Sequence, residues 1–239
     1  MPSLSAVRAA NAAFSPSYIP VALFVGGTSG IGRATAEAFA RYTKGQAHIV
    51  ICGRNRAAAE SIIASFPKST KSKYEFVECD ATLMKNVQST TTSLMSTLPK
   101  LNYLFATPGY LTLKGRDETS EGLDRKLALN YYARWKFTND LMPLLRKAKD
   151  AGEDAKMLSV LSAGHGGPID LDDLGLKKGF SLYAAGVAAV TYNDLMIEVC
   201  LTFPELRADD WCTSIYSHFL IGNPTWRSPI CFPEQSAHL

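Results

Sequence analysis

The sequence predicts a doubly wound α/β fold, in which a parallel sheet is covered by helices on both faces. Three observations carry that expectation. Short β-branched or aromatic runs alternate with longer helical patterns, the runs are themselves apolar, and a glycine-rich turn follows the first of them directly. Alternation of this kind requires right-handed crossovers and gives strands buried on both faces. Ligands of such sheets sit at the carboxyl ends of the strands.

The first strand is expected at 21–25 and the first crossover helix at 31–42. A second strand at 48–52 precedes an Ala-rich helix at 56–66, and a third at 74–79 precedes a helix at 83–98. The fourth strand is expected at 101–106, a long helix over 120–147, a fifth strand at 157–161 and a closing helix at 182–201. One further strand is expected within 211–222, and the Pro-containing tail beyond it has no helical period. Residues 1–19 read as an N-terminal arm and 20–239 as a single domain with a short or diverged C-terminal substrate region. No acidic residue precedes Glu37 and Arg8 sits among Ala and Ser, a faint likeness to a transit peptide; a short helix packed against the domain and ended before Ser15-Pro16 is the expected reading.

Composition narrows the function classes. With 239 residues, 46% apolar and 20% charged, the chain has the balance of a globular domain, not of a disordered or collagen-like one. A net charge of +3 without any dense Lys/Arg block argues against a nucleic-acid partner. The longest apolar run, 19–25, is strand-sized and holds Pro20, so no membrane span is expected. Cysteines 52, 79, 200, 212 and 231 are odd in number and form no CxxC pair, which speaks against a disulfide scaffold or a zinc site and for a reducing compartment, the cytoplasm.

The turn after the first strand reads Gly26-Gly27-Thr28-Ser29-Gly30-Ile31-Gly32-Arg33 and opens a helix. Glycines there permit a tight turn and bring an anion to backbone N–H groups at a helix N-terminus. A triphosphate-binding loop would close with Gly-Lys-Ser/Thr, whereas Gly32 is followed by Arg33-Ala34, so a dinucleotide is the expected ligand. Gly30 and Gly32 are expected to let the backbone approach a pyrophosphate, so that a side chain at Gly32 would clash with ligand more than with the fold. The second strand ends in Cys52-Gly53-Arg54-Asn55-Arg56 with no acid for a ribose 2′-hydroxyl; Arg54 offers a fork for a 2′-phosphate, which favours NADP(H) over NAD(H).

With these residues in view, the chain resembles the short-chain dehydrogenase/reductase family over about 20–200, which implies a Rossmann-type three-layer α/β/α sandwich. Gly26, Gly30 and Gly32 match the family's Thr-Gly-x-x-x-Gly-Ile-Gly, with Val25 in place of the Thr. The resemblance places Thr28, Ser29, Ile31 and Asn55 with Arg54 on the cofactor, and Cys79-Asp80-Ala81 beside the adenine. Of the family's Asn-Asn-Ala-Gly only Gly109 survives, within Ala106-Thr107-Pro108-Gly109.

The resemblance also implies a catalytic set. Asn130 falls on an apolar stripe with Leu123, Leu127, Ala133, Phe137, Leu141 and Leu144, where a polar group is costly unless bonded. Ser162 resembles the Ser that orients the reacting carbonyl, and Tyr183 the Tyr that moves the proton. The family's Lys, four residues past the Tyr, is Val187 here; Lys177, Lys178 or His165 could lend charge instead, but a solvated loop and a turn residue are their expected reading. A free Tyr titrates near 10 and is a poor base at neutral pH without an adjacent cation. The expected function is interconversion of a carbonyl and a secondary alcohol of a small molecule. A nucleotide-binding pseudoenzyme and a truncated non-catalytic chain remain open beside it. Pairing of like chains through the helices at 120–147 and 182–201 is what the resemblance implies for assembly.

Overall fold

The structure, a computed structural model, describes residues 3–110, 112–162 and 164–202, the last four as helical backbone only. Five strands, β1 Val21–Val25, β2 His48–Gly53, β3 Lys73–Glu78, β4 Tyr103–Ala106 and β5 Lys156–Ser159, form one parallel sheet in the order β3-β2-β1-β4-β5. Helices α1 Leu4–Ala12, α2 Gly30–Tyr42, α3 Arg56–Ser65, α4 Met84–Thr97, α5 Arg125–Leu127, α6 Ala133–Asp150 and α7 Leu182–Thr202 complete the described elements. The doubly wound fold is therefore as expected, and its winding reverses between β1 and β4.

Strand side chains explain why both faces are covered. Every residue of β1 is buried. Leu23 and Val25 point with Val50 and Leu104 to one face, where Val87, Leu94, Phe137 and Leu141 of α4 and α6 cover them. Ala22 and Phe24 point with Ile49 and Ile51 to the other, where Ala36 and Ala40 of α2 and Ala59 and Ile62 of α3 meet them. The small residues of α2 let it lie close to the sheet, and Phe24 stacks on Phe105 with ring centroids 4.5 Å apart.

Two expectations need correction. Helix α1 forms, with Ser3 Oγ accepting from Ala6 N, but none of its residues is buried. Its large apolar side chains, Leu4 and Val7, stay exposed, so it has no stripe with which to pack against the domain. The arm is held instead by Phe14 against Phe39 and Tyr103 and by the Tyr18 hydroxyl, which donates to Asp154 at 3.0 Å. The long helix starts five residues later than expected. Buried Asp124 caps it by accepting from Lys126 N and Leu127 N, and a π-helical turn, Ala128–Tyr132, separates α5 from α6. The strand expected within 211–222 lies outside the described residues.

Asn102 ties the amino ends of three strands. Its side chain is fully buried; Oδ1 accepts from Val21 N at 2.9 Å, and Nδ2 donates to Glu153 Oε2 and the Asp154 carbonyl. Asn102→Ala should lower unfolding stability by about 2–3 kcal/mol, because buried backbone groups lose their partners. Urea denaturation reads the loss, and nucleotide affinity should not change because the carboxyl ends of the strands are untouched.

Candidate active site

The carboxyl ends of β1 to β4 open onto a cleft of about 270 Å³ beside the reversal of winding. The turn after β1 contributes Gly26, Thr28, Ser29, Gly30, Ile31 and Gly32 to its wall. Arg54 follows from β2, Asp80 and Ala81 from β3, and Gly109 from β4. Asn55 stands apart. It lines a neighbouring depression with Arg54 and Arg56, and its Oδ1 accepts from Ala58 N at 3.0 Å as the N-cap of α3.

The turn is shaped by close contact with the end of β4. Gly26 has φ +84 and donates its N–H to the Cys52 carbonyl at 2.9 Å. A Cβ on it would lie 2.8 Å from Thr107 Oγ1 and 2.9 Å from Pro108 N. Gly32 is as confined, since a side chain there would overlap Thr107 Oγ1 and the Gly26 carbonyl. The expectation for Gly32 is thus corrected: a substitution there meets the fold itself before any ligand. Gly30, at φ +53, faces open space, so it is Gly30 whose missing side chain leaves the cleft free.

The local charge favours an anion. The first turn of α2 carries no acidic residue, and the Ser29 side chain makes no capping bond, so the helix N-terminus presents its positive end to the cleft. Arg33 is engaged by Glu37, while Arg56 lies over the Phe76 ring and near Glu60 and Glu78. Arg54, by contrast, has no carboxylate partner among the described residues. The cleft floor holds two free thiols, Cys52 and Cys79. A hydrogen bond from Cys52 draws the Cys79 thiol below its usual range, with Thr90 helping and burial and Asp80 opposing. The same pairing, together with burial, pushes Cys52 up.

The expected catalytic residues are less gathered. Asn130 sits in the π-helical turn, half-buried, and its carbonyl accepts from Asn193 Nδ2 at 2.7 Å. A Cβ on Gly109 would lie 3.7 Å from Asn130 Oδ1, so this side chain lies beside a lining residue at the β4 end without itself lining the cleft. Ser162, three residues past β5, and Tyr183, on the first turn of α7, are exposed, Tyr183 by 81%, and neither lines the cleft. Val187 is half-buried, one turn beyond Tyr183 and close to Gly167. Lys177 and Lys178 are exposed, their N–H groups donating to Asp173. Sequence reasoning missed Thr107 and Leu129 in the cleft wall, and Arg134, which is buried one turn after Asn130. The stripe that singles out Asn130 also carries Arg134, and a cation on an apolar stripe was the available signal.

The profile of the short chain dehydrogenase family matches residues 20–165. The oxidoreductase AN1596 of Emericella nidulans is 38% identical over 199 residues, covering 83% of this chain and 58% of its own length. A short-chain dehydrogenase from Sphingobium yanoikuyae in complex with NADPH superposes with a TM-score of 0.58 at 18% identity, over 77% of this chain and 64% of that one. An NADH-dependent reductase, A1-R', complexed with NAD gives a TM-score of 0.56 at 22% identity, over 77% and 72%. The chain belongs to the short-chain dehydrogenases, an oxidoreductase family that uses NAD(P)(H). It spans 58% of the length of the Emericella relative. Among the described residues no helix is long and apolar enough to cross a membrane.

The two glycines should separate by experiment. Gly30→Ala should cost about 1 kcal/mol of stability from its left-handed backbone but weaken nucleotide binding by about tenfold or more. Gly32→Ala should cost several times more stability, about 3 kcal/mol or above, through overlap with β4. Thermal denaturation with and without NADPH distinguishes the two.

Proposed function

We propose that the chain is an NADP(H)-dependent oxidoreductase that interconverts a carbonyl and a secondary alcohol on a small molecule. The observation that carries the reading is the cleft itself, with an acid-free helix N-terminus at the glycine turn and, at one end, Arg54, which has no carboxylate partner among the described residues. The residues fit the cofactor. Gly30 leaves space for a pyrophosphate over the α2 N-terminus, and Arg54 supplies a planar fork for a 2′-phosphate. Asp80 lines the wall after β3, where the resemblance expects the adenine. Bound there, the cofactor would supply hydride chemistry, NADPH as donor to a carbonyl carbon and NADP+ as acceptor from an alcohol.

This chain's part in the chemistry falls to Ser162, Tyr183 and Asn130. Ser162 orients the carbonyl oxygen through its hydroxyl, Tyr183 gives that oxygen its proton in reduction or takes it in oxidation, and Asn130 orders the cleft at β4. Val187 supplies no cation next to Tyr183, a departure from the lysine that the resemblance implies at that position. The same Val187, with the exposed Tyr183, favours a second reading: a member that binds the nucleotide without turnover.

Arg54→Ala should weaken NADPH binding by about ten- to a hundredfold, the worth of charge-assisted hydrogen bonds, and leave NADH binding unchanged. Equal affinities for NADPH and NADH in the parent would refute the cofactor assignment. In a panel of carbonyl substrates with saturating NADPH, Tyr183→Phe should abolish turnover, and Val187→Lys should raise it, both there and in the reverse assay of the corresponding alcohols with saturating NADP+. Turnover by Tyr183→Phe at the parent rate would remove Tyr183 from the mechanism. Tight NADPH binding with no turnover by either parent or Val187→Lys would establish the second reading.

A further inference from the structure

Arg134 is 1% exposed, yet it carries a full set of hydrogen bonds. Its Nε donates to the Leu129 carbonyl at 3.2 Å, and Nη2 donates to the Pro108 carbonyl at 2.6 Å. Nη1 donates to Ser159 Oγ at 2.7 Å, to the Val160 carbonyl at 2.8 Å and to the Ala106 carbonyl at 3.3 Å. None of these acceptors is a carboxylate, and no ion pair involves Arg134 among the described residues. Burial lowers its guanidinium to about 10, so it remains charged at neutral pH.

A buried cation solvated only by neutral groups, carbonyls and one hydroxyl, is costly, and a Met of similar length would fill the same space without that cost. What a Met would not do is hold the carbonyls. They belong to three segments that converge at one end of the cleft. Pro108 lies between Thr107 and Gly109 after β4, and all three line the cleft. Leu129 lines it too, and its carbonyl leads into Asn130. In this π-helical turn Ala133 N donates to the Ala128 carbonyl, and the Arg134 side chain takes up the carbonyl that follows. Val160 leads from β5 towards Ser162.

The network continues to α7. Ser159 Oγ, accepting from Arg134, donates to Asn193 Oδ1 at 3.3 Å, and Asn193 Nδ2 donates to the Asn130 carbonyl at 2.7 Å and to the Ala189 carbonyl at 2.8 Å. One guanidinium thus braces the segments of Asn130 and Ser162 and, through Ser159 and Asn193, the helix that carries Tyr183.

We infer that Arg134 is a positioning residue that shapes the β4 end of the cleft, away from Arg54, to take the nicotinamide half of the dinucleotide. The inference rests on the NADP(H) reading proposed above. With the 2′-phosphate at Arg54, the β4 end is what remains for the other half of the molecule.

Calorimetric titration of the full chain with NADPH and with 2′,5′-ADP, which lacks the nicotinamide half, tests it without any turnover. In Arg134→Met, NADPH affinity should fall by about tenfold or more while 2′,5′-ADP affinity stays within about twofold, because only one end of the cleft loses its carbonyl braces. Arg134→Lys should fall between Met and the parent. Ser159→Ala, which removes only the link to α7, should give the same selective loss in smaller degree, and these two variants carry the test if Arg134→Met does not fold. Equal weakening of both ligands, as a general loosening of the core would give, or no weakening of NADPH, would overturn the inference. If the parent itself fails to bind 2′,5′-ADP, the NADP(H) reading falls and the inference falls with it.

Discussion

The structure depends on how closely the turn after β1 passes the end of β4. Val25 pairs with Ala106 at the last rung of the ladder, Thr107 N–H and Oγ1 both donate to the Val25 carbonyl at 2.9 Å, and Gly26 and Gly32 pack where no side chain fits. That contact aims the first turn of α2 into the cleft at the point where the winding of the sheet reverses. A larger residue at either glycine would push α2 away from β4 and separate the helix N-terminus from the rest of the wall. The exposure of the α2 N-terminus to the cleft is therefore a consequence of packing.

The two ends of the cleft are built on different physics. At the Arg54 end the chemistry is exposed and electrostatic: an arginine with no carboxylate partner among the described residues, a helix whose first turn holds no acid, and two further arginines whose charges are already engaged. At the β4 end the chemistry is buried and geometric, with a carbonyl-solvated guanidinium holding a π-helical turn, two strand ends and, by relay, α7. Salt weakens the first kind of interaction and barely touches the second. The division suits a site that must bind one charged ligand firmly and orient a smaller reacting group.

Much of this was legible in the sequence, for reasons that differ by residue. Uniformly apolar strands such as β1 announce a parallel sheet because both faces are covered, and Gly26 announces the turn because only glycine takes its positive φ without strain. Other features depend on tertiary contacts that no local pattern encodes. Gly32 is dictated by Thr107, distant in sequence, and α1 forms by local capping but finds no surface to cover. The π-helical turn and the delayed start of the long helix follow from Asp124 and from the Arg134 side chain, whose acceptors lie on three separate segments. Asn130 lies beside a lining residue of the cleft, whereas Ser162 and Tyr183 stand in exposed positions that neither periodicity nor motif matching conveys.

In the proposed reading the turn after β1, the ends of β2 and β3 and the Thr107-Pro108-Gly109 segment act together as one dinucleotide site. Amide hydrogen exchange of the full chain with and without NADPH addresses it most directly, because it reports each backbone segment separately and needs no turnover. Exchange should slow at 26–32, 53–55, 79–82 and 107–109 on adding NADPH, with no change in α1. Unchanged exchange at 26–32 under saturating NADPH, or protection confined to segments away from this cleft, would contradict it.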